Sequence, residues 1–93
     1  MGTYSVLLEY GDAQAGGQLG LDDARTDGLL DALGELGPSV AAGTDRYSVR
    51  VCVTADDADA ALAAARRAVD AARRQVGAPM WPLAGLAVER WDD

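Results

Sequence analysis

The order of periodic segments in this chain predicts an α+β sandwich built as β-α-β-β-α-β. Three observations carry that expectation. Two stretches, residues 4–10 and 47–53, alternate apolar with other residues at period two. Two longer stretches, residues 29–36 and 58–76, repeat apolar residues at helical spacing. Glycine or proline stands wherever one pattern gives way to the next, at Gly11, Gly37-Pro38, Gly43 and Gly77.

The first strand runs from Thr3 to Tyr10, with Tyr4, Val6, Leu8 and Tyr10 on one face and Ser5, Leu7 and Glu9 on the other. Gly11 to Leu21 follows, a connector longer than usual with glycines at 11, 16, 17 and 20. The first helix is expected from about Asp23 to Leu36, because Leu29, Leu33 and Leu36 fall at i, i+4 and i+7, with Leu30 beside them. Gly28 weakens its first turn and would move the start toward Asp27. Gly37 can take the left-handed cap and Pro38 cannot continue a helix. Ser39 to Gly43 then reads as a short strand and Gly43-Thr44-Asp45 as a turn. Arg46 to Thr54 is the strongest strand, with Tyr47, Val49, Val51 and Val53 opposite Arg46, Ser48, Arg50 and Cys52. The second helix spans about Asp56 to Val76. Its buried stripe is Ala58, Ala61, Leu62, Ala65, Val69, Ala72 and Val76, and Asp56, Asp57, Asp59 and the pair Arg73, Arg74 suit its dipole. After a loop from Ala78 to Pro82, a last strand from Leu83 to Trp91 sets Ala84, Leu86 and Val88 against Gly85, Ala87, Glu89 and Trp91.

This order is the ferredoxin-like, or split βαβ, unit. Right-handed crossovers place its four-stranded antiparallel sheet in the order 4-1-3-2, with two helices on one face, as a single domain over residues 1–93. The expected core joins Val6, Leu8, Val40, Val49, Val51, Val53, Leu86 and Val88 to Leu30, Leu33, Leu62, Val69 and Val76.

Composition limits the chemistry. The 93 residues carry 15 acids and 8 bases for a net charge of −7, and every base is arginine. Without lysine or histidine there is no Schiff-base amine and no imidazole for a triad or metal site, and the single Cys52 excludes an intrachain disulfide or thiolate zinc cage. No catalytic residue, cofactor or metal ligand is expected. The negative charge argues against direct nucleic-acid or anionic-membrane binding. No apolar run approaches the length of a membrane helix, and Met1–Ser5 lacks the basic start of a secretory signal. A lone cysteine fits the cytoplasm.

The segments Tyr4-Ser5-Val6-Leu7-Leu8-Glu9-Tyr10, Leu36-Gly37-Pro38-Ser39-Val40 and Tyr47-Ser48-Val49-Arg50-Val51, the last leading into an alanine-rich helix, resemble small βαββαβ proteins of GC-rich bacteria. Some of these carry a helix-turn-helix segment after the last strand. This chain stops at Asp93, so that DNA-binding role is not carried over. The shape also resembles ACT-like regulatory domains, which implies dimerisation and small ligands held at loops and strand edges.

Four surfaces are candidates. The uncovered sheet face would present Ser5, Leu7, Ser48, Arg50, Cys52, Ala87, Glu89 and Trp91, and its mixture of Leu7, Arg50, Cys52, Glu89 and Trp91 suits a two-fold dimer; the alternative is a monomer with scattered exposed apolar groups. Arg66, Arg67, Arg73 and Arg74 form two rows on the second helix, either a solvated face paired through Asp70 or a stripe that docks an acidic partner or a phosphorylated ligand. Gly16-Gly17-Gln18-Leu19-Gly20 matches no phosphate-binding loop, and Asp22 and Asp23 after it would repel phosphate, which favours a connector over a ligand-gated lid. Trp81, in Pro79-Met80-Trp81-Pro82, either caps the core or anchors a partner or ligand. The leading expectation is a non-catalytic interaction or regulatory module, homodimeric through the open sheet face. The alternatives are an ACT-like small-molecule sensor, an acidic inhibitor or immunity-type protein covering a basic partner, and a cofactor-free dimeric enzyme.

Overall fold

Alternation along two long strands sets the architecture. A computed structural model describes residues 2–11, 21–43, 46–79 and 81–91. Its elements are β1 (Gly2–Gly11), α1 (Asp23–Ala32), a 3-10 turn (Gly34–Leu36), β2 (Ser39–Ala42), β3 (Arg46–Ala55), α2 (Ala58–Val76) and β4 (Leu83–Arg90). The sheet runs β2-β3-β1-β4 with every neighbouring pair antiparallel. Counted from the β4 edge, the same arrangement reads 4-1-3-2.

β1 and β3 pair over their full lengths, from Gly2 opposite Ala55 to Gly11 opposite Arg46. Paired residues in an antiparallel sheet share a face, so Tyr4, Val6, Leu8 and Tyr10 line up with Tyr47, Val49, Val51 and Val53 beneath the helices. All eight are buried. α2 contributes Ala61, Ala65, Val69 and Ala72 to the same core, and α1 contributes Leu29 and Leu33. The other sheet face has no described element over it. Thr3 and Trp91 meet at one end of the sheet, where the Trp91 N–H donates to the Thr3 carbonyl at 2.9 Å.

The helix ends follow local chemistry. Asp22 and Asp57 cap α1 and α2 by accepting from the Arg25 and Ala60 N–H groups, each at 2.8 Å. Gly77 closes α2 in the left-handed region at φ 72°. Arg25 ties the two helices together, donating from Nε to the Gly77 carbonyl at 2.9 Å and pairing with Asp22 at 2.7 Å.

The first helix starts at Asp23 as expected, with the Asp22 cap in place, and Gly28 does not move the start to Asp27. Three expectations change. The first helix ends at Ala32 and tightens into the 3-10 turn around Gly34, because glycine lowers the advantage of continuing the wider helix. Leu29 is fully buried, and Leu30, expected in the core, is only half-buried. Leu86 is 50% exposed, because β4 is the sheet's edge and α2 covers only part of it. The glycine-rich segment Gly16–Gly20, with Thr44, Asp45, Met80, Asp92 and Asp93, lies outside the described residues.

Gly28 marks where α1 crosses α2. A Cβ there would stand 2.7 Å from Val76 Cγ1. Alanine normally stabilises a helix interior over glycine by about 0.5–1 kcal/mol, whereas overpacking costs about 1–3 kcal/mol. Gly28→Ala is therefore expected to lose about 1 kcal/mol in a denaturant titration, and adding Val76→Ala should recover part of the crossing term in a double-mutant cycle. A Gly28→Ala variant more stable than the parent would contradict this close approach.

Candidate functional site

The open sheet face takes its pattern from strand register. One row across the sheet reads Ser39, Arg50, Leu7, Ala87, and the next reads Cys52, Ser5, Glu89. These side chains project away from the helices. Leu7, Ser48 and Cys52 are half-buried among their neighbours, Arg50, Ala87 and Glu89 are exposed, and Trp91 is 60% exposed just beyond β4. Ser5, flanked by strands on both sides, is 4% exposed although it points to the uncovered face. The predicted group Leu7, Arg50, Cys52, Glu89 and Trp91 thus shares one surface. Arg50 and Glu89 flank β1 from opposite sides, two strand spacings across and two residues along, about 12 Å apart. Neither makes an ion pair with another described residue.

Toward the β2–β3 turn this face holds a shallow depression of about 340 Å³, lined by Glu9, Ala41, Ala42, Gly43, Arg46, Tyr47 and Ser48. Glu9 accepts from Arg46 at 3.2 Å on its floor. Both side chains are solvated, so the pair contributes little to stability.

The arginine stripe separates. Arg66, Arg67 and Arg74 are exposed, but Arg73 is 3% exposed and belongs to the interior. Helical geometry put Arg66 and Arg73 in one row. That row runs along the flank of α2, and Arg73 lies where two buried tyrosines at the sheet end receive it. Its guanidinium carbon sits 3.6 Å above the Tyr10 ring centroid. Nε donates to the Tyr47 hydroxyl at 2.7 Å, Nη1 to Asp70 at 2.9 Å, and Nη2 to the Trp81 carbonyl at 2.7 Å and the Pro79 carbonyl at 3.3 Å. The Tyr47 hydroxyl donates onward to the Pro79 carbonyl at 2.6 Å. Asp70, expected to pair with Arg66 and Arg74, instead accepts from Arg73 and, at 3.5 Å, from the Tyr10 hydroxyl.

Trp81 is likewise drawn in. Its ring lies 5.9 Å from Tyr47, and it packs half-buried against the core rather than standing out as an anchor. Tyr10 and Tyr47 were read from sequence only as strand residues, and Asp70 only as a partner for Arg66 and Arg74. The signal was available, because two tyrosines at the same end of neighbouring core-facing strands bring two hydroxyls that need partners when buried.

The cluster suits holding rather than proton transfer. Burial pushes the Tyr10 phenol up to about 12, with the Asp70 carboxylate adding to the effect and Arg73 opposing it. Burial also raises Tyr47, against the hydrogen bond from Arg73. Both phenols therefore remain protonated through the neutral range. Among the described residues, no group of three or more His, Cys, Asp or Glu side chains is placed to hold a metal ion. No helix there is long and apolar enough to cross a membrane. Comparison with protein-family models, curated proteins and solved structures finds no match.

Two predictions follow from this geometry. Arg73→Ala should cost about 3 kcal/mol, the scale of breaking a buried charge pair, while Arg67→Ala on the exposed side should stay within about 0.5 kcal/mol; equal losses in chemical denaturation would refute the clamp. Tyr10 ionises with more difficulty in the fold than in the open chain, so its contribution is present below pH 10 and is lost as pH rises through about 12. Subtracting the ultraviolet tyrosinate titration of Tyr10→Phe from that of the parent should isolate this late step.

Proposed function

We propose that this chain is a ferredoxin-like interaction or regulatory module that acts as a homodimer through its open sheet face, without catalysis of its own, in the cytoplasm. The observation that carries the reading is the pairing of an uncovered face with two exposed charges of opposite sign, Arg50 and Glu89, that have no ionic partner among the described residues. A two-fold axis lying in the plane between the two stacked faces brings Arg50 of one copy toward Glu89 of the other, and the reverse, so one contact is made twice. Small residues at Ser5, Ser48, Cys52 and Ala87 let two sheets approach closely, with Leu7 near the middle.

The area is adequate. Four strands at about 4.8 Å spacing and about eight residues at 3.3 Å rise span roughly 500 Å² per copy. Two copies thus cover about 1,000 Å², the lower edge of a specific interface. Complementary charge matters here because each copy carries −7, and association through unmatched acidic surfaces would be opposed.

Arg50→Glu is expected to weaken the dimer at least about tenfold, since like charges placed together at an interface cost several kcal/mol. Arg50→Glu combined with Glu89→Arg should restore it. Sedimentation equilibrium of the three proteins checks this, and an Arg50→Glu variant that associates as strongly as the parent sinks the reading.

A further inference from the structure

Among the described residues, two large apolar side chains are exposed, Leu86 at 50% and Trp91 at 60%. One lies in the middle of β4 and the other directly follows it. β4 is an edge strand, so one side of its backbone has no strand beside it among the described elements. The two edges of this sheet are built differently. β2 has only four residues, a length that blunts an edge against further pairing. β4 is eight residues long, and its stretch from Leu83 to Val88 contains neither a charge nor a proline.

We propose that β4 is an association edge distinct from the open face, on which the β4 strand of a second copy pairs antiparallel to give one eight-stranded sheet with four helices on one side. A second copy fits the chemistry of this edge. Two chains of net charge −7 approach most easily along an uncharged segment, and Leu83–Val88 is such a segment. Antiparallel pairing about a two-fold axis normal to the sheet keeps the helix-covered side continuous. In the register that centres Ala87, Leu86 faces Val88 of the other copy, so a half-exposed leucine becomes covered twice over. The same register offsets the two Glu89 side chains by four residues, about 13 Å, and the two Arg90 side chains by six, about 20 Å. Both separations exceed the Debye length of about 8 Å at physiological salt, so like charges do not oppose the pairing. Backbone hydrogen bonds supply the attraction and the apolar side chains set the register, as in strand addition generally.

The edge and the open face are at right angles, so each can be tested without the other. Leu86→Lys changes an exposed position and leaves the buried core untouched. It is expected to raise the concentration at half-dissociation of the β4 contact at least about tenfold, while Arg50→Glu leaves that contact in place. Light scattering across micromolar concentrations reads the mass of each variant, and amide hydrogen exchange at residues 84–88 reads the edge directly. Protection of these amides that grows with protein concentration, and is lost in Leu86→Lys, supports the pairing. Concentration-independent protection assigns the edge to cover by the chain's own residues and overturns it. So does a particle of 9.6 kDa at every concentration, or a Leu86→Lys variant that associates like the parent. Association abolished by Leu86→Lys and unaffected by Arg50→Glu supports the edge and removes the open-face dimer.

Discussion

The guanidinium of Arg73 is the contact on which one end of this fold depends. An isolated buried cation is strongly unfavourable, and a fully bonded one is tolerated only where every neighbour is in place. Here the neighbours come from four separated parts of the chain: Tyr10 on β1, Tyr47 on β3, Asp70 on α2 itself, and the carbonyls of Pro79 and Trp81 in the loop before β4. Arginine is suited to this position because its planar fork donates in several directions while its face stacks on a ring. A lysine ammonium, a point charge with three donors, has no comparable face to lay on Tyr10.

The location of the clamp matters as much as its bonds. β1 leaves the sheet at Gly11, β2 and β3 are joined beyond Ala42, and α2 returns to β4 through residues 77–82, all at the same end. Three connections converge there, and the loop before β4 is held by hydrogen bonds to its carbonyls rather than by its side chains alone. The position of β4 against β1, and with it the layout of Leu86, Ala87 and Glu89, is anchored at its start by Arg73. A residue on the helix layer thereby orders the outer strand of the sheet.

The elements were legible because periodicity reports burial directly. Val6, Leu8, Val49, Val51, Ala65 and Val69 announced their faces by spacing alone, and every one is buried. The strand grouping that unites Leu7, Arg50, Cys52 and Glu89 was legible for the same reason, since period two assigns each residue a side. What period cannot supply is reach. Arg73 lies on the flank of its helix, where a long side chain can turn outward to water or inward to a partner, and the choice rests on tyrosines distant in sequence. Leu86 fails in the opposite sense. Its alternation is that of a core residue, but alternation says nothing about how far a helix extends over an edge strand. Gly28 looked like a weak point in a helix and is a contact point between two.

The hydrogen bond from Trp91 to Thr3 has a consequence for how this unit joins other chains. Entry and exit lie on adjacent strands, about 4.8 Å apart, little more than the Cα spacing of consecutive residues. A surface loop of another protein can therefore be opened and this unit spliced into it without pulling the host's two ends apart. The splice would sit at the end of the sheet remote from Arg73, leaving the clamped end free of the junction.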